Sequence, residues 1–149
     1  MDSMKRQTIT TPKSTIDIIV SGHKQSDRIE DYARAIMHYL MPRKRKGTIF
    51  IDIVKKIKHE DSIYCGMCYG DRQAVEIELA KNTNNRLSLE DMMVNLAHEL
   101  VHAKQFFRGE LDPVDETKWK GEKSCTVFSQ PWEKEAYLLE DWLYLNFWR

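Results

Sequence analysis

No charge of one sign predominates in this 149-residue chain. Its 23 Lys and Arg balance 23 Asp and Glu, so no global field draws in nucleic acid or an anionic membrane. No apolar run approaches the roughly 20 residues that cross a bilayer. The opening stretch MDSMKRQTITTPKST lacks the apolar region of a secretory signal. Cysteine is scarce and odd in number, three in all, which argues against a disulfide scaffold. No internal repeat and no low-complexity tract interrupts the chain. These absences leave a cytoplasmic protein of one domain as the expectation, with no membrane partner. The 42% hydrophobic content is enough for a core.

The order of elements reads β-α-β-β-α-loop-α, an α/β (α+β) domain over residues 14–149 behind a flexible arm, 1–13. STIDIIV, residues 14–20, is a short strand stopped by Ser21-Gly22. Residues 26–41 carry Ile29, Ala33, Ile36, Met37 and Leu40 at helical spacing. GTIFIDIVKKI, from Gly47, alternates as a strand that could be covered on both faces. YCGMCYGD is turn-like, and AVEIELA (74–80) is a half-buried strand suited to a sheet edge. Ser88 caps the next helix at a spacing that lets its hydroxyl meet an orphan N–H at Asp91, and Gly109 stops it. After a loop, 110–129, a last helix runs from Pro131 to Phe147, with Leu138, Leu139, Trp142 and Leu145 on its inward face.

Within the helix begun by Ser88 stands HELVH, residues 98–102. Two histidines four apart on a helix point the same way, so their imidazoles can take adjacent corners of a tetrahedron around Zn2+. Glu99 lies beside that face, where a carboxylate can take a proton from an activated water and pass it to a leaving amine. Chance yields such a pattern on the order of 0.01 times in a chain of this composition. The bland alternatives are two surface histidines on an amphipathic helix and a structural metal site without chemistry.

A third ligand has to come from PWEKEAYLLEDW, which offers Glu133, Glu135 and Glu140. Glu135 precedes Leu138 and Leu139 by three and four residues, so it shares their inward face. A carboxylate on such a face is costly unless paired or bound to metal. Glu133 suits a surface position near a helix N-terminus. His98, His102 and Glu135 are therefore the expected ligands of one Zn2+ per chain, and Glu99 is the expected general base and acid.

HELVH followed by a helix containing Glu135-Ala136 resembles the zincin metallopeptidases whose third ligand is a glutamate. LAHELVHAKQ and the upstream strand resemble small SprT-like and phage-encoded metallopeptidases, and the Glu-Ala pair is similar to ImmA/IrrE-like peptidases. The resemblance covers roughly residues 48–145. SprT-like proteases generally use a third histidine, and none follows His102, so that likeness stands at the level of fold. The resemblance implies an active-site helix under a small mixed sheet. It also implies an edge strand that pairs with extended substrate; residues 74–80 would be that strand, with Glu76, Ile77 and Glu78 in contact. The activity implied is zinc-dependent hydrolysis of a peptide or protein substrate. Trp119 is a candidate substrate wall. Tyr64, Tyr69, Tyr137 and Lys120 are candidate oxyanion donors, Tyr137 the least favoured because it lies off the face of Glu135. Asp112 or Glu110 could orient a ligand imidazole.

Two further features carry weaker readings. Cys65 and Cys68 have CxxC spacing, but one pair is half a zinc knuckle and it precedes a strand, so incidental thiols in a turn are favoured. The basic cluster Arg43–Lys46, with Lys55, Lys56 and Lys58, could contact nucleic acid as in a DNA-associated protease, but the zero net charge and the absence of interleaved aromatics favour a solvated turn. A zinc-containing binding module without catalysis is the alternative from a non-enzyme class.

Overall fold

A computed structural model describes residues 16–43, 46–111, 118–119, 122–123 and 130–149. The expected arm 1–13, Asp112, Lys120, Cys125 and part of the basic cluster (Lys44 and Arg45) lie outside the described residues, as does the side chain of Trp119.

The chain runs β1 (Ile16–Ser21), α1 (Ser26–Leu40), β2 (Gly47–Val54), β3 (Ile57–His59), β4 (Ser62–Tyr64), β5 (Gly66–Gly70), β6 (Ala74–Ala80), α2 (Leu89–Phe107), β7 (Lys118–Trp119), β8 (Glu122–Lys123) and α3 (Pro131–Phe147). Strands β1, β2, β6 and β5 form one mixed sheet in that order. β1 and β6 flank β2 in parallel, and β5 is antiparallel to β6 at the edge. β3 pairs with β4 and β7 with β8 as separate two-stranded ribbons. The mixed α+β class expected from the sequence is what forms.

Alternation along each strand sends one set of side chains to one face. Ile16, Ile18, Ile49, Ile51, Ile53, Val75, Ile77 and Leu79 are buried in the core with Ile29, Ile36, Leu96 and Leu100 of α1 and α2. The opposite set, Asp17, Ile19, Phe50, Asp52, Glu76 and Glu78, is exposed. β2 is thus covered on one face only, not two: Phe50 keeps 44% of its surface in solvent. The helices pack on one side of the sheet, and the open face is made tolerable by its carboxylates.

α2 is the central helix. Its cap forms as expected, with the Asp91 N–H donating to Ser88 Oγ at 3.0 Å. From Leu96 onward almost every side chain is buried, because the helix lies between the sheet and α3. Tyr32 ties α1 to it, the phenol donating to the Met93 carbonyl at 2.8 Å.

Two further expectations shift. YCGMCYGD is not a turn: Gly66–Gly70 is the edge strand, and AVEIELA lies inside the sheet, bonded on both sides. The phase of α3 also differs. Its buried residues are Trp132, Ala136 and Leu143, while Leu138 is 80% exposed and Leu145 53%. Apolar residues surround this helix, so its pattern alone does not choose a face. Small Ala136, 0% exposed, allows close approach to α2.

Candidate metal centre

The phase of α3 decides which carboxylate meets the histidines. His98 and His102 project from successive turns of α2 with ring centroids 4.9 Å apart. Glu133, in the first turn of α3, places Oε1 2.9 Å from Nε2 of each imidazole. Glu135 goes elsewhere: its carboxylate accepts from Lys104 Nζ at 2.8 Å and from Gln105 Nε2 at 2.9 Å. The third member of the cluster is therefore Glu133, and the expected ligand Glu135 is corrected. The reason is the rotated face of α3, since residues two apart on a helix point about 200° away from each other.

The outer ring nitrogens are also held. His98 Nδ1 lies 2.8 Å from Glu140 Oε1, and His102 Nδ1 lies 2.8 Å from Gln105 Oε1. A ring N–H donates in each case, which leaves Nε2 of each imidazole facing the Glu133 carboxylate. Two lone pairs and an anion facing one another require positive charge between them. Protons on the imidazoles or a metal cation can supply it. Tetrahedral bonds of about 2.0–2.2 Å hold ligand atoms roughly 3.3 Å apart. The three ligand atoms here all lie within 4.8 Å of one another, and the His–Glu contacts are 2.9 Å. The group can hold a metal ion.

The same demand shows in the proton affinities. Burial pulls the His98 imidazole down, but Glu133, Glu99 and Glu140 outweigh it and leave it pushed up to about 9. His102 is raised by the same balance of burial against Glu133 and Glu99. Hydrogen bonds from His102 and His98 hold the Glu133 carboxyl far below the usual range. Burial pushes the Glu99 carboxyl the other way, upward, against the pull of the two imidazoles.

Glu99 is 8% exposed and lines a cleft of about 330 Å³. One wall of the cleft is β5, through Gly66, Met67 and Cys68; Phe106 and Trp132 stand among the remaining lining, and His102 and Glu133 open into it. Gly66 gives room there, because a Cβ would sit 3.0 Å from Glu99 Cγ and Oε2 and press on that side chain. Cys65 and Cys68 are free thiols. Burial pushes the Cys68 thiol well up, which makes it a wall and not a nucleophile.

The remaining expected residues fall as follows. Glu76 and Glu78 face solvent on the sheet's open side, and Ile77 is in the core, so none of these side chains lines the cleft. Their expected role rested on an edge position that β5 occupies instead. Glu110 orients no imidazole; it accepts from Lys104 at 3.1 Å and forms an ion pair with Arg108 at 3.3 Å. Tyr64 lines the cleft. Tyr69 packs edge-on against Phe106. Tyr137, the least favoured donor, packs its ring 4.7 Å from that of His98. Sequence reasoning missed Gln105 and Gly66, and gave Glu140 no role. Gln105 follows His102 by three residues, a spacing that puts both on one helix face and could have flagged it.

Comparison of the chain with family models, with curated proteins and with solved structures returns no match. No helix among the described residues is long and apolar enough to cross a membrane.

Proposed function

We propose that the protein is a zinc-dependent peptidase. The observation that carries the reading is the meeting of His98, His102 and Glu133 on one point, with Glu99 beside them in a cleft walled by a sheet edge. Two imidazole nitrogens and one carboxylate suit Zn2+, and three protein ligands leave a coordination position open. Zinc bound there would supply a Lewis acid that polarises a carbonyl and makes water a better nucleophile.

The chain's own groups do the rest. Glu99 takes the proton as water attacks the scissile carbonyl carbon, then delivers it to the amide nitrogen as the C–N bond breaks. Its burial screens that carboxylate from most of the bulk solvent. β5 pairs only with β6 among the described strands, so its outer rungs can take an extended peptide backbone. Tyr137, edge-on to the His98 ring, and Tyr64, on the cleft wall, are the candidate phenols for a donor to an oxyanion.

Zinc analysis with a cleavage assay on an unfolded protein substrate tests this. Wild type and Glu99→Gln should each carry one zinc per chain. The variant should lose cleavage by about 10²–10⁴-fold. Glu133→Ala should lose the metal. Zinc-loaded wild type that cleaves nothing would leave a binding module as the better description. Equal cleavage by Glu99→Gln would remove Glu99 from the chemistry.

A further inference from the structure

The displaced glutamate has a second role that depends on the metal reading above. Gln105 is 0% exposed, and its amide has a forced orientation. The Trp132 carbonyl, 2.9 Å from Nε2, can only accept, so the amide nitrogen must point there. The other N–H of that nitrogen donates to Glu135 Oε1, also at 2.9 Å. Gln105 Oε1 then faces His102 Nδ1 at 2.8 Å and can only accept. His102 must therefore carry a proton on Nδ1, and its Nε2 lone pair is directed at the cluster.

Glu135 is itself fixed. Lys104 Nζ donates to both of its oxygens at 2.8 Å and to Glu110 Oε1 at 3.1 Å. The Lys104 side chain is 7% exposed and that of Glu110 10%. Glu110 closes the loop, since its backbone N–H donates to the Gln105 carbonyl at 2.8 Å. A buried ammonium between two carboxylates is held strongly, because removing one partner strands a charge. The pair also spans α2 and α3, the two helices that bring the ligands.

We propose that Gln105 is a positioning residue for the metal centre, and that Lys104 and Glu135 form the clasp that holds its amide in the working orientation. The clasp does two things at once. It sets the tautomer of His102, and it fixes α3 on α2 so that Glu133, two residues before Glu135, arrives at the imidazoles. None of the three touches the metal position or the substrate cleft directly.

The test uses the full chain, with Zn2+ affinity measured by chelator competition and the ligand field read from the visible spectrum of the Co2+-loaded protein. Gln105→Met should weaken Zn2+ binding about 10–100-fold and shift the Co2+ bands, with one metal still bound per chain. Lys104→Met should weaken it in the same direction, and Lys104→Arg should restore most of the loss. This second pair keeps the test open if Gln105→Met does not fold. Wild-type affinity and an unchanged Co2+ spectrum in folded Gln105→Met or Lys104→Met would overturn the inference and leave the metal site standing. Wild type that takes up no Zn2+ would overturn both.

Discussion

Gly66 shows how one missing side chain can serve a site. It leaves Glu99 room to lie against β5, with no atom where a Cβ would press on the carboxylate at 3.0 Å. Gly66→Ala should leave metal content unchanged and cut cleavage by about tenfold or more, because small displacements of a catalytic group cost that much. Parallel zinc and rate measurements check it, and an unchanged rate would mean that the neighbours yield without moving Glu99. The choice between Glu133 and Glu135 likewise turns on single side chains. Both are glutamates near the start of one helix, and the sequence marks both as candidates. What separates them is the company they meet: two imidazoles for Glu133, a buried lysine for Glu135.

Among the elements, α2 was legible because its signals are local. A capping serine, apolar residues at helical spacing and a glycine just beyond its end agree with one another. β5 was not legible. GMCYG has two glycines and no β-branched residue, and only pairing with β6 makes it a strand. The turn between them supports that pairing. Asp71 accepts from the backbone N–H groups of Gln73 and Ala74 at 2.8 and 2.9 Å, and these bonds hold its carboxyl below the usual range. A carboxyl lowered in the folded state stabilises the fold above its unfolded pKa, and that support is lost as pH falls through the folded value. Asp71→Ala should therefore melt below wild type near neutral pH and approach it in acid. Thermal melts at the two conditions decide the matter, and a gap that widens in acid would contradict it.

For the whole molecule, His98 and His102 on α2 meet Glu133 on α3, so an ion held by this group would cross-link the two helices. Bound Zn2+ favours the folded state by mass action, by about 2.7 kcal/mol when free metal is a hundredfold above Kd. For a chain of this size that is a Tm higher by about 5–10 °C. Calorimetry with Zn2+ and again with a chelator measures it, and coincident transitions would mean that the cluster does not bind the ion. The Lys104–Glu135 clasp needs no metal, so the metal-free protein should still unfold cooperatively.

Local order along the chain carries what depends on neighbours within a turn or a strand: the three described helices, the main parallel strands, and two histidines facing one way with a glutamate beside them. Packing between elements chose the third member of the cluster, the face of α3 that is buried and the strand that forms the sheet edge. Glu133 lies 31 and 35 residues from the histidines it meets. Such contacts follow from how apolar surfaces on separate elements fit, and α3 carries apolar residues on more than one side. Its phase is set by small Ala136 packing against α2 and by the charges Lys104 can bury, neither of which is written in α3 alone.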